Sequence, residues 1–316
     1  MSTTTVIANA DWVIGFDGAG HRLIRNGTVA WSGNAITFVG RKYQGSRDTL
    51  IDGRGRIVMP GLINMHTHLA LEAQTKGFSD DHGSRKLWMS GLPEYLPAMG
   101  LFDTPVSPLY DRQGVTDSLR FALLELVKTG TTSVFDIGSI TDETLGVFEE
   151  SGLRIFNGPV VRCGRWYTLD GHSITYEWDL EAGRRTFKAA VTYIEKRSGD
   201  WGGRLTPVLI PGGPDTLEPE LIPEIMTAAR RLNVPMQIHT AQTVYEHLEM
   251  MRRHGQTSVQ FLASRGMIGP QVILGHAIYL AHHSMIRYPD HDDLGVIANT
   301  GTHVVYCPWN FARRGR

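Results

Sequence analysis

The alternation of apolar and polar positions changes character near residue 60. Before it, short β-rich runs sit between turn signals. Thr5-Val6-Ile7-Ala8, Trp12-Val13-Ile14-Gly15, Val29-Ala30-Trp31 and Ile36-Thr37-Phe38-Val39 are the runs. Asp17-Gly18-Ala19-Gly20 and Asn26-Gly27 break them, and Asn-Gly is a strong hairpin signal. A small antiparallel sheet is predicted over residues 1–58. Pro60-Gly61 then punctuates the chain. Beyond it, apolar runs of strand length alternate with helical periodicity. Strands are predicted over Leu62–His66, Thr132–Ile137, Ile155–Val161, Leu205–Ile210, Met236–His239, Val272–His276 and His303–Cys307. Helices are predicted over Asp117–Lys128, Leu180–Arg197, Glu218–Leu232 and Val244–His254. Strand–helix alternation implies a parallel sheet. The class is α/β, and the count fits a (β/α)8 TIM-type barrel with seven of its eight units, over residues 59–316. The Pro-containing stretch from Gly77 to Gln113 is long for a βα connection, and such connections tend to form lids or pocket walls.

Composition narrows the function classes. Of 316 residues, 41% are hydrophobic and 20% charged, as in an ordinary soluble globular protein. A net charge of -1 offers no nucleic-acid footprint and no attraction to an anionic membrane. No run approaches the roughly 20 apolar residues of a membrane span. Met1 to Ala10 lacks the pattern of a secretory signal. Two cysteines, Cys163 and Cys307, cannot build a disulfide framework, so a reducing, cytoplasmic compartment is expected.

The chemistry concentrates in histidines. His66 and His68 are two apart, so on a strand they share a face and can reach one ion. They end the first barrel strand, where the active sites of such barrels lie. His239 ends the run Pro235–Ile238, and His276 ends Val272–Gly275. Each alone reads as a hydrogen-bonded core histidine. Three separate strands that end in histidine point to one shared site. Trp88 and Trp309 read equally as walls of an aromatic substrate pocket or as packing. Cys307 reads as a buried small residue, since no partner pattern surrounds it. Asp290, Asp292 and Asp293 read as a solvated loop. Pro211-Gly212-Gly213-Pro214 lacks the lysine of a phosphate cradle and reads as a βα loop.

Val58-Met59-Pro60-Gly61-Leu62-Ile63-Asn64-Met65-His66-Thr67-His68 closely resembles the entry motif of the amidohydrolase superfamily. The branch is that of cytosine and guanine deaminases and of triazine and phenylurea hydrolases. Gly130–Asp136 resembles its second strand, and Gly91–Leu96 its pocket loop. His239-Thr240-Ala241-Gln242 and Leu274-Gly275-His276-Ala277 resemble its fifth- and sixth-strand motifs. The resemblance implies that His66, His68 and His239 ligate one divalent metal, Zn2+ first, with Fe2+ or Co2+ as alternatives. It implies that His276 contacts substrate or the attacking water. Residues 1–58 would belong to a small β-sandwich. The fourth strand carries no lysine, as expected of the one-metal branch, because two-metal relatives use a carbamylated lysine there.

Two departures matter. The family's fourth ligand, an aspartate after the eighth strand, has no counterpart here. The chain therefore reads as truncated at its C-terminus, with open barrel edges that predict poor solubility or inactivity of this chain alone. Deaminases place a glutamate where this chain has Gln242. Glutamine orients a substrate by hydrogen bonds but exchanges no proton. Gln242 thus shifts the expectation from ring deamination toward hydrolysis of an amide, urea or carbamate-like bond. The expected partner is a small-molecule substrate, and the resemblance is compatible with a homodimer. The alternatives are a deaminase or dehalogenase acting on a nitrogen heterocycle, and a metal-free barrel with an assembly role.

Overall fold

The structure is a computed structural model, and it describes residues 3–70, 112–138, 140–167, 175–288 and 290–313. Trp88, the loop 91–96 and most of the stretch 77–113 lie outside the described residues. The chain divides into two compact units, residues 1–62 and 63–316. No described helix is long and apolar enough to cross a membrane.

The first unit is one sheet built on β1 (Thr4–Phe16), which pairs antiparallel with β2 (His21–Ser32). β3 (Ala35–Gly40) extends it antiparallel to β2. β4 (Thr49–Asp52) and β5 (Ile57–Val58) lie in succession along the other edge of β1 and run parallel to it. The sheet is therefore mixed, not purely antiparallel as the turn signals suggest. Asn26-Gly27 is not a hairpin turn; it lies inside β2. Asn9 and Asn26 both have positive φ, 60° and 52°. Asn tolerates the left-handed region, and Asn9 lies in the bulge where the pairing slips by one residue between Ile7 and Ala10, whereas Asn26 lies just beyond it on β2. Gly27 opposes Ala10, and a Cβ there would meet Val13 Cγ2 at 2.4 Å.

The second unit contains seven successive strand positions among its described residues, and the second to the seventh pair in parallel. The first two are β6 (Leu62–Thr67) and β7 (Thr131–Asp136). The third is split into β8 (Arg154–Asn157) and β9 (Val160–Val161). A hairpin of β10 (Gly164–Tyr167) and β11 (Thr175–Trp178) follows it. The fourth position is β12 (Leu205–Pro207) and β13 (Ile210–Pro211), paired parallel with β8 and β9. Then come β14 (Met236–Thr240), β15 (Val272–His276) and β16 (His303–Val305). A parallel bridge from Leu209 to Met236 joins the fourth position to the fifth. The split of the third strand has a local cause. Pro159 brings no N–H to the ladder, and a Cβ on Gly158 would meet the Val208 carbonyl oxygen at 2.0 Å.

The described helices are α1 (Arg112–Lys128), α2 (Asp142–Glu150), α3 (Leu180–Arg197), α4 (Leu221–Leu232), α5 (Val244–His254), α6 (Ser258–Ser264), α7 (Asp293–Thr300) and α8 (Pro308–Arg313), apart from a distorted turn at 200–203. α4 buries Leu221, Ile222, Ile225 and Ala229 against Met236 and Ile238 of β14 and Leu274 of β15. Strand side chains alternate. The other face of β14, with Gln237 and His239, therefore points away from that helix-packed core.

Candidate metal centre

The mouth of the second unit gathers four imidazoles. His66 and His68 come from the end of β6, His239 from β14 and His276 from the last position of β15. Ring centroids of His66 lie 5.3 Å from His68, 5.0 Å from His239 and 4.4 Å from His276.

Three of the rings are oriented through Nδ1. The Nδ1–H of His68 donates to the Ile137 carbonyl at 2.6 Å, and that of His239 to the Gly212 carbonyl at 3.2 Å. His66 Nδ1 contacts Gln237 Oε1. Gln237 is fully buried, and its amide NH2 donates to the Met65 carbonyl at 2.8 Å. That bond turns the amide oxygen toward His66, so Nδ1 there is also the donor. With Nδ1 protonated, each Nε2 of these three rings carries a bare lone pair.

Those lone pairs converge. Ligand atoms of His66, His68 and His239 lie within 4.8 Å of one another. The Nε2 atoms of His68 and His239 are 3.3 Å apart. Two acceptors at that distance cannot bond each other, and His66 Nε2 is buried without a hydrogen-bond partner among the described residues. Nitrogens held about 2.0–2.1 Å from a tetrahedral zinc ion stand about 3.3 Å apart. The donor set therefore fits a divalent ion. Burial together with the His66 charge pushes the His68 imidazole down to about 3, and burial pushes His66 and His239 down as well. All three stay neutral at physiological pH, the form that ligates.

His276 reaches the cluster by an irregular route. Strict alternation along β15 puts it on the face of Val272 and Leu274, which pack into the helix-side core. Its φ of 86° breaks the pleat. The ring instead lies beside His66, 4% exposed, with neither ring nitrogen hydrogen-bonded among the described residues. Burial and the neighbouring histidines push it down to about 2. It is a neutral ring that can donate from one nitrogen and accept at the other.

Other candidates divide. Gln242 is half-buried on the turn after β14, and its backbone N–H donates to Glu246 at 2.8 Å. Trp309 is 76% exposed, and Phe311 is the aromatic that packs edge-on against His276 at 4.8 Å. Cys307 is not the buried packing residue expected. It is half-buried, and its Sγ lies within 4.8 Å of ring nitrogens of His66 and His276. Asp293 is not a solvated loop residue either. It is 1% exposed and accepts from the Thr257 hydroxyl and the Ala281 N–H.

Sequence reasoning missed the groups that hold the histidines. Gln237 stands two residues before His239, a spacing that puts both on one strand face, and this was the available signal. Asp136 ends β7 and accepts the Leu69 N–H at 2.9 Å, just past His68. The glycine loop after β13 supplies a carbonyl to His239, a contact that no local pattern announces.

Comparison with known proteins bears on this site. Residues 57–309 match the Amidohydrolase family. A 5'-deoxyadenosine deaminase of Methanosarcina mazei is 30% identical over 285 residues, covering 90% of this chain and 58% of that protein. A 5-methylthioadenosine/S-adenosylhomocysteine deaminase of Carboxydothermus hydrogenoformans is 31% identical over 78% of this chain and 52% of its own length. The chain thus spans a little over half the length of these curated relatives. Among solved structures, an atrazine chlorohydrolase from Arthrobacter aurescens TC1 complexed with zinc superposes with TM-score 0.76 at 20% identity, covering 98% of this chain and 67% of that one. An adenosine deaminase from Xanthomonas campestris with bound zinc gives 0.77 at 19% identity, covering 99% and 64%. These two likenesses establish the barrel-type fold.

Proposed function

This chain belongs to the amidohydrolase family, and from that premise we propose that it carries the metal-binding residues of a hydrolase that cleaves a non-peptide carbon–nitrogen bond in a small molecule. The ligands are His66, His68 and His239, and the ion is a single divalent metal, Zn2+ first. One observation carries this reading: the Nε2 atoms of His68 and His239 stand 3.3 Å apart, a ring nitrogen of His66 lies within 4.8 Å of their ligand atoms, and the Nδ1 of each ring is already committed to an acceptor. When bound, such an ion acidifies water toward a pKa of about 7 and polarises a carbonyl.

The chain's own residues do the rest. Gln237, Ile137 and Gly212 fix the tautomers of the three ligands. His276, neutral and unpartnered, holds the substrate's carbonyl oxygen or the attacking water by a hydrogen bond. Gln242, Trp88 and Trp309 are the substrate-binding residues of this reading, Trp88 lying outside the described residues. Residues 1–58 form the partial β-sandwich and 59–316 the barrel. The two cysteines suit a cytoplasmic location, and the family resemblance is compatible with a homodimer.

Amide, urea and carbamate-like substrates follow from Gln242, which cannot shuttle a proton. The second reading, deamination of a nitrogen heterocycle, is favoured by the likeness to two nucleoside deaminases. Assays of amine against ammonia release from aryl ureas, carbamates and 5'-deoxyadenosine separate the two. Amine release supports the first. Ammonia from 5'-deoxyadenosine, retained when Gln242 is changed to Ala, would establish the second and remove Gln242 from the argument.

A further inference from the structure

The turns that carry His239 and His276 are strained. Ala241, His276 and Ala277 have φ of 51°, 86° and 48°, a region that residues with a Cβ rarely adopt. Such conformations persist only where surrounding structure imposes them. Here the two turns are laced together. Ala277 N–H donates to the Thr240 carbonyl at 3.0 Å, and Ile278 and Tyr279 N–H donate to the Ala241 carbonyl at 3.0 and 2.8 Å.

Two buried carboxylates close this arrangement from behind. Glu246, 2% exposed, accepts the Ala241 N–H (2.6 Å) and the Ser258 hydroxyl (2.6 Å) on Oε1, and the Gln242 N–H (2.8 Å) on Oε2. Asp293 accepts the Thr257 hydroxyl (2.6 Å) and the Gln260 amide (3.3 Å) on Oδ1, and the Ala281 N–H (2.7 Å) on Oδ2. Thr257 and Ser258 are adjacent and open α6. The chain Glu246–Ser258–Thr257–Asp293 therefore ties the turn after β14 to the loop after β15 without touching an imidazole.

Helix capping alone does not account for this. Thr243 caps α5, and Glu246 occupies the third helical position. In an ordinary capping box that glutamate returns to the N–H of the cap residue itself. Glu246 instead reaches past it to residues 241 and 242, the segment leaving His239.

We propose that Glu246 and Asp293 are positioning residues: a buried bracket that enforces the left-handed turns after β14 and β15 and so aims His239 and His276 into the metal centre. Two accepting oxygens are required at 246 because the two backbone N–H groups go to different oxygens. An amide would set its NH2 against one of them.

The inference rests on the metal reading above, and the experiment separates the two. Zinc affinity is measured on the full chain by competition with a chelator, alongside a thermal melt and the ring 1H–15N histidine spectrum. Glu246→Gln is expected to weaken zinc roughly 10–100-fold, the usual scale for removing an outer support of a ligand. Adding Ala241→Gly, which makes the positive φ easy, is expected to recover several-fold of that loss. Asp293→Asn is expected to shift the His276 ring signals while those of His66 and His68 stay in place. If Glu246→Gln does not fold, Glu246→Asp carries the same prediction. A folded Glu246 variant with wild-type zinc affinity, or a loss that Ala241→Gly does not touch, overturns the bracket and leaves Glu246 a helix cap. Failure of the unaltered chain to bind zinc refutes the metal reading instead; the His276 shift in Asp293→Asn then decides the bracket alone.

Discussion

His68 and His239 are aimed by backbone carbonyls, whereas His66 is aimed by a side chain and His276 by a distorted backbone. The first pair takes its ring contacts from carbonyls of the sheet and βα loops, and a side chain such as Glu246 acts on it only through the backbone behind His239. The second pair depends on particular residues and can be detuned. The contrast locates where this site is robust and where it is adjustable.

Removing a presumed ligand tests the whole set first. His66→Ala and His239→Ala are each expected to abolish stoichiometric zinc, read by metal analysis of the purified protein. Equal metal content in either variant would break the assignment for that residue. Gln237→Leu is next. It keeps His66 but removes the acceptor on Nδ1, and zinc affinity is expected to fall roughly 10–100-fold. A change below threefold would mean that His66 needs no side-chain support, and the contrast between the pairs would vanish.

Acid sensitivity sharpens the comparison from another direction. In the metal-free chain His68 titrates near 3, well below the unfolded value of about 6.5. Between those values the unfolded state binds more protons, so stability falls as pH drops from about 6.5 toward 3. Denaturant melts at stepped pH should show that slope, and His68→Asn should flatten part of it. The smallest effect is steric. A Cβ on Gly275 would lie 3.2 Å from His66 Cε1 and 3.4 Å from Nδ1. Gly275→Ala should therefore weaken zinc only a few-fold, through His66 alone, and leave the ring signals of His68 and His239 unmoved.

Local pattern revealed much of this frame. Leu180–Arg197 and Val244–His254 have the expected bounds, because apolar periodicity and caps decide helices locally. The histidines at the ends of β6, β14 and β15 were legible because a strand end, an apolar run and an imidazole coincide in sequence. Asn26-Gly27 misled because Asn takes the left-handed region inside an irregular strand as readily as in a hairpin turn. Asp293 looked solvated beside Asp290 and Asp292, yet it is buried by contacts with Thr257 and Ala281. Its polar partner Thr257 is 36 residues away, and no window shows that. His276 is the sharpest case. Alternation excludes it from the site, and only the break in β15 admits it.

X-ray absorption at the zinc edge of the metal-loaded chain tests the central claim most directly. The account predicts a nitrogen shell at about 2.0–2.1 Å with the outer-shell scattering of three imidazoles. A shell of oxygens alone, or a sulfur at about 2.3 Å displacing imidazole, would contradict it, the latter by drawing the ion toward Cys307.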